Sequence, residues 1–171
     1  MKLRIRLLLV AAAVAMFCSV PSPTFAQNQP TVLAGAELTR VVPPGFYFQG
    51  LTAPTQMRNS AAARLDANRY VIAGIVDTSG YSSDVRARYE GFLITDSKIT
   101  VNGVALGIGA YGFGFTDDGK LNILDLAGND VLSTGTTRDK GLKRPRPLMM
   151  SMAGNAIRLY SGRDYVVIAA Q

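Results

Sequence analysis

The chemistry open to this chain is bounded first by the reactive side chains it lacks. It has no His and no Trp, and its single Cys stands at position 18. A Ser-His-Asp triad and a zinc site of the ordinary nitrogen-and-sulfur kind are therefore excluded. Carboxylates remain. Asp77, Glu90, Asp125 and Asp164 are candidates for the paired acid and base work of glycoside hydrolysis, in which two carboxyl groups flank the scissile bond. Nothing in their spacing brings any two together. Asp117-Asp118-Gly119 is only superficially a calcium loop, because Lys120, Leu121 and Ile123 interrupt the alternation of oxygen ligands that such a loop needs. Turn chemistry explains it better. No metal site, cofactor or catalytic residue is assigned.

Three segments are candidates for binding. Gly45-Phe46-Tyr47-Phe48-Gln49-Gly50, followed by Gln56-Met57-Arg58-Asn59, combines aromatic stacking area with directional hydrogen-bond donors, the mixture that small-ligand pockets use. Phe46, Phe48, Gln49, Gln56, Arg58 and Asn59 are the candidate ligand-binding residues. The competing explanation makes Phe46 and Phe48 alternate core residues, with Arg58 and Asn59 satisfying backbone carbonyls in a long corner.

Gly107 to Phe115 is the second. On a strand Tyr111, Phe113 and Phe115 share one face while Ala110, Gly112 and Gly114 share the other. A row of glycines weakens a strand, so a ligand or a packed neighbour must approach closely there. Packing is the commoner cause.

The third is Arg138 to Pro147, in which Lys140, Lys143, Arg144 and Arg146 form a candidate patch for an anionic partner. Pro145 and Pro147 stiffen it and remove backbone donors. Lipid headgroups, envelope polysaccharide or an acidic protein would all fit; a solvated guard against strand aggregation is the alternative.

These segments belong to a chain with a leader. Lys2, Arg4 and Arg6, an apolar run from Leu7 to Phe17, and Thr24-Phe25-Ala26 read as a secretory signal cut after Ala26, which directs the protein to the periplasm or beyond. The run is too short to span a bilayer, which takes roughly 20 apolar residues. Acylation at Cys18 is the rival, but Phe17 stands where a lipobox wants a small residue. Cleavage leaves 145 residues without cysteine, enough for one domain and a single core. Stability must then come from apolar burial and backbone hydrogen bonds, with no disulfide.

The formal charge of +6 overstates the basic character, since three of the 18 Lys and Arg leave with the leader. Arg138 to Pro147 carries +4, more than the whole mature excess of +3, and leaves the rest of the mature chain close to neutral at −1. There is no broad basic face of the kind nucleic-acid binders carry.

Residues 27–36 are expected to form a loose arm, and 37–171 a single all-β domain, an antiparallel sandwich or small barrel. Turn signals recur at short intervals. Asn102-Gly103, between Ile99–Val101 and Val104–Leu106, is the strongest hairpin signal, a type I′ turn. Asp66-Ala67-Asn68, Asp96-Ser97, Asp117-Asp118-Gly119, Gly128-Asn129-Asp130, Gly154-Asn155 and Ser161-Gly162 mark the others. Val85 to Thr95 alternates like a strand. Tyr70 to Val76 and Tyr165 to Ala169 are nearly continuous in apolar residues and should be central strands covered on both faces. A membrane barrel would need strands of about 9–11 residues, longer than Ile99–Val101 or Leu121–Leu126.

Val42-Pro43-Pro44-Gly45-Phe46-Tyr47-Phe48-Gln49-Gly50, Gln56-Met57-Arg58-Asn59, Val76-Asp77-Thr78-Ser79-Gly80-Tyr81 and Arg158-Leu159-Tyr160 resemble small exported bacterial proteins of uncharacterised function. The resemblance implies export, but no activity, ligand or catalytic residue. The expected function is that of a non-enzymatic envelope or secreted protein binding a small molecule or envelope component through the Phe46–Asn59 corner. A carboxylate enzyme acting on carbohydrate, and a protein that binds another through an exposed sheet edge, are the alternatives.

Overall fold

A computed structural model describes residues 29–66 and 68–171. The leader, Cys18, the start of the expected arm and Ala67 lie outside the described residues. The chain runs through β1 (Thr31–Val32), α1 (Gly35–Val41), β2 (Gly45–Phe48), β3 (Leu51–Arg64), β4 (Tyr70–Val76), α2 (Ser83–Arg86), β5 (Gly91–Thr95), β6 (Ile99–Val101) and β7 (Val104–Leu106). It continues with β8 (Gly109–Phe115), β9 (Lys120–Leu124), β10 (Asp130–Gly135), β11 (Thr137–Arg138), β12 (Arg146–Ala153), β13 (Ala156–Gly162) and β14 (Asp164–Ala170).

All pairings are antiparallel. The first sheet is ordered β1-β3-β4-β5-β8-β9-β10, with β2 folded back on β3; the second is β12-β13-β14-β6-β7, with β11 beside β14. Neither closes into a barrel, so the sandwich is the form adopted. Turn chemistry dictates much of this. Asn102 and Gly103 take φ of 48° and 82°, which lets β6 and β7 pair across a two-residue turn. Gln49 and Gly50 (47° and 84°) do the same between β2 and β3.

Two cores result. Between the sheets, Val71, Ala73, Leu93, Phe113 and Ile123 of the first pack against Ile99, Leu148, Ile157, Leu159, Val166 and Ile168 of the second. Apart from Ala73, each of these side chains contributes roughly 1.5–3 kcal/mol when fully buried. The opposite face of the first sheet carries a second core, in which Val76, Phe92 and Leu124 are covered by Phe46 and Phe48 of β2 with Val42, Tyr81 and Tyr89. β4 is accordingly covered on both faces, as its apolar run predicts.

Three expectations need correction. β14 is paired along both edges, but only Val166 and Ile168 are buried while Tyr165, Val167 and Ala169 are half-buried. It is covered on one face. The arm is not loose where it is described. Thr31 and Val32 pair with Arg64 and Ala63, Leu33 is buried, and α1 follows directly. Its apolar Val32 and Leu33 have a core within reach.

Val85 to Glu90 is not strand. The Ser82 hydroxyl accepts from the Val85 N–H and caps α2, and the Tyr89 N–H donates to the Val85 carbonyl at 2.9 Å. Val85 and Tyr89 both face the second core, the i, i+4 relation of a helical turn, while Ala87 between them is exposed. Alternation and helical spacing coincide over so short a stretch.

Candidate functional site

Of the four carboxylates singled out from sequence, two are brought to one place. Glu90 links α2 to β5 and is fixed by its backbone. Its N–H donates to the Phe113 carbonyl at 2.8 Å, and its carbonyl accepts from Val76 at 3.0 Å. The side chain is half-buried, and its Oε2 accepts from the Phe115 N–H at 3.3 Å. Among the described residues nothing hydrogen-bonds its other oxygen. Burial pushes the carboxyl above its ordinary range; the Phe115 N–H pulls the other way, and the neighbouring Asp117 charge adds to the rise.

Glu90 forms part of the wall of a recess of about 550 Å³ where the β8–β9 turn of the first sheet meets β11 and the β13–β14 turn of the second. Asp117, Asp118, Thr136, Arg138, Ser161 and Asp164 line it as well. The Thr136 hydroxyl donates to the Gly119 carbonyl at 2.9 Å and ties the turn to the start of β11. Arg138 pairs with Asp164 at 3.1 Å. Asp118 is held below the usual carboxylate range by hydrogen bonds from Lys120 and Thr116.

A second recess, of about 300 Å³, shares Glu90 and Ser161 with the first and adds Gln56, Thr78, Arg86 and Pro147. The two adjoin as one cleft with Glu90 and Ser161 where they meet, polar on the side of the first recess and bounded by Ile75, Val76 and Tyr89 as well on the side of the second.

Asp77 and Asp125 go elsewhere. Asp77 accepts from the Ser79 N–H at 3.0 Å. Asp125 accepts from the Ala127 and Asn129 N–H groups, each at 2.9 Å. Both are turn-forming side chains held below the usual range, Asp77 by the Ser79 N–H and Asp125 first by the Asn129 side-chain amide, which donates to its Oδ2 at 2.9 Å, and then by the backbone N–H groups. Among the described residues no group of three or more Asp, Glu, His or Cys is arranged to hold a metal ion.

The Phe46–Asn59 corner is divided. Phe46 stacks on Phe92 with centroids 4.9 Å apart and Phe48 on Tyr89 at 4.0 Å, both inside the second core. Gln49 donates through its N–H to Leu126 at 3.0 Å and through Nε2 to Ala127 at 3.1 Å, holding the β9–β10 turn. Gln56 alone of the six lines the cleft. Asn59 donates to Gln56 Oε1 at 2.9 Å, and Arg58 is exposed. The six residues do not line one recess.

The glycine row has a packing cause. A Cβ on Gly112 would lie 2.6 Å from the Phe48 ring and one on Gly114 2.3 Å from the Arg88 carbonyl oxygen. Lys140, Lys143, Arg144 and Arg146 of the basic segment are all exposed.

Asp117, Asp118, Arg86, Arg138 and Ser161 line these recesses without being candidate binding or catalytic residues in the sequence. Asp117-Asp118 is visible as a turn, but its meeting with β11 and β14 depends on how the two sheets pack. No protein-family model matches the chain, and neither a curated protein nor a solved structure matches it.

Proposed function

We propose that the chain is an exported, non-enzymatic binding protein of the envelope or its surroundings, holding a small hydroxyl-rich molecule in the cleft about Glu90. One observation carries this. A half-buried carboxylate, fixed by its backbone and by the Phe115 N–H, keeps its Oε1 free where two recesses meet. Carboxylates, Gln56, Thr136 and Ser161 accept from and donate to hydroxyls in several directions, while Arg86 and Arg138 offset part of the negative charge. The recess of about 550 Å³ is lined mainly by polar groups, which disfavours a lipid or a drug-like ligand there.

Native mass spectrometry of the protein purified from its own host tests the proposal. A bound mass retained by the wild type and lost from a folded Glu90→Gln variant is expected. No retained mass, or equal retention by both, would count against it.

A second reading is favoured by the presence of Glu90, with its raised pKa, and Asp164 in one recess, since a general acid and a partner carboxylate are what glycoside hydrolysis needs. Hydrolysis of an oligosaccharide panel that disappears in both Glu90→Gln and Asp164→Asn would establish it over simple binding.

A further inference from the structure

We infer that the protein has a second contact face, which borders the Glu90 cleft at Gln56 and Pro147, joins the Arg58 bulge to the basic loop and seats on phosphate-bearing lipid headgroups. The bulge comes from register. Thr55 opposes Val76 and Ser60 opposes Gly74, so β3 advances five residues while β4 advances two. Three residues of β3 have no opposite number, and the segment leaves the ladder. It is pinned in that shape. Gln56 Nε2 donates to the Val76 carbonyl at 3.2 Å, Asn59 Nδ2 to Gln56 Oε1 at 2.9 Å, and the Ser60 hydroxyl to the Met57 carbonyl at 2.7 Å. Met57 and Arg58 are left exposed.

The bulge is also fastened to the basic loop. The Arg146 guanidinium donates to the Arg58 carbonyl at 2.9 Å, across 88 positions of sequence. The loop itself is held over the outer face of the second sheet. Tyr160 donates to Asp139 Oδ2 at 3.1 Å, the Gly141 N–H to Asp139 Oδ1 at 2.9 Å, and Arg163 to the Leu142 carbonyl. Asp139 is its one carboxylate. Among the described residues the side chains of Arg58, Lys140, Lys143 and Arg144 make no ion pair or hydrogen bond, whereas Arg138 is neutralised by Asp164.

A guard on the β12 edge would account for cations along that strand, but not for a pinned bulge of another sheet that adds Arg58 to them. The class of partner follows from what stands among the charges. Met57, 37% exposed, precedes Arg58 on the bulge. An exposed apolar residue next to an unpaired cation, on a bulge fastened to the basic loop, suits the boundary between headgroup and acyl chain, whereas an acidic polysaccharide offers it nothing.

Flotation of the full protein with vesicles of equimolar phosphatidylglycerol and phosphatidylcholine, against phosphatidylcholine alone, tests the inference. Binding is expected to the anionic vesicles only, and to vanish at about 1 M salt, where the screening length is about 3 Å. Arg58→Ala should lower the partition coefficient about fivefold, the effect of one cation at such a surface, and Arg58→Lys should restore it. Met57→Ser should weaken binding at unchanged charge. Circular dichroism confirms that each variant is folded; Arg58→Gln serves if the alanine variant is not. Failure to float at low salt, or full binding by Arg58→Ala, would overturn the inference. So would a soluble acidic polysaccharide bound equally by wild type and Met57→Ser, which would assign the face to a polymer instead.

Discussion

The rings of Phe48 and Tyr89 stack with centroids 4.0 Å apart and planes within 14°, filling the space that a side chain on Gly112 would need. The residues come from β2, from the segment after α2 and from β8, and the glycine is what allows the three to close on one another. Both rings are almost completely buried, so neither can move aside.

Gly112→Ala is therefore expected to cost about 1–3 kcal/mol, the range for overpacking a filled core. Gly114→Ala should cost more, because its Cβ would meet the Arg88 backbone rather than a ring. Gly135→Ala is the control: its Cβ meets nothing within 4 Å and its φ is not positive, so it should be neutral or stabilise by up to about 1 kcal/mol. Urea unfolding of the three variants checks the order. Equal losses would show that the rings are not packed as described.

The two tyrosines of the second core should respond in opposite senses to losing their hydroxyls. Tyr81 donates toward the buried Phe48 carbonyl and the part-buried Leu51 carbonyl, at 3.0 and 3.1 Å, so Tyr81→Phe removes that hydrogen bond and should cost about 1–2 kcal/mol. Among the described residues the Tyr89 hydroxyl is buried and makes no hydrogen bond, and burial, with the neighbouring Tyr81 hydroxyl adding to it, holds its phenol protonated well above the ordinary range. Tyr89→Phe should be neutral or stabilising, since it removes an unsatisfied group while keeping the stack. A Tyr89→Phe variant that melts much lower than wild type would reveal a partner for that hydroxyl.

Asn102 does more than turn the chain. Its Oδ1 accepts from the Val167 N–H at 2.8 Å, and its Nδ2 donates to the Gly135 carbonyl at 2.7 Å and to the Thr134 hydroxyl at 3.2 Å. The β6–β7 turn of the second sheet is thereby tied to β10 of the first. Asn102→Gly keeps the positive φ and loses these bonds, so its deficit should be about 1–3 kcal/mol. Asn102→Ala adds backbone strain and should be worse by roughly 1 kcal/mol. If the glycine variant is as stable as wild type, the tie between the sheets contributes nothing.

What was legible in the sequence was whatever a residue type carries by itself. Asn102-Gly103 announces its φ angles, and Tyr70 to Val76 announces a strand with apolar surroundings on both sides. Gln49-Gly50 makes the same kind of turn, yet Gln is not a residue that marks it. Val85, Ala87 and Tyr89 fit two periods at once, and only the Ser82 cap and the position of the core decide between them. The cleft was the least legible. Glu90 and Asp164 could be nominated singly, but they meet because the β8–β9 turn is laid against β11 and β14, a consequence of packing two sheets that no local pattern encodes. Arg58 and Arg146 likewise stand in two separate candidate segments of the sequence, and only the bulge in β3 joins them.

Glu90 makes the pH dependence of stability a test of the cleft. Burial raises its pKa in the folded state above the ordinary value of 4.5, so the folded protein holds this proton more tightly than the unfolded chain does. The sign follows from linkage. Its contribution to stability is fully present below the unfolded pKa and is lost as pH rises through the raised folded value. Glu90→Gln stays neutral throughout and removes that dependence. The wild type should thus lose ground to Glu90→Gln as pH is raised from below 4.5 toward neutrality, with the gap levelling once Glu90 is ionised in both states. Carbon-detected NMR titration of the Glu90 carboxyl should show a midpoint above 4.5. A midpoint at or below that value, together with parallel stability profiles for the two proteins, would mean that the carboxylate is solvated, and the cleft would lose the poised group on which its proposed function depends.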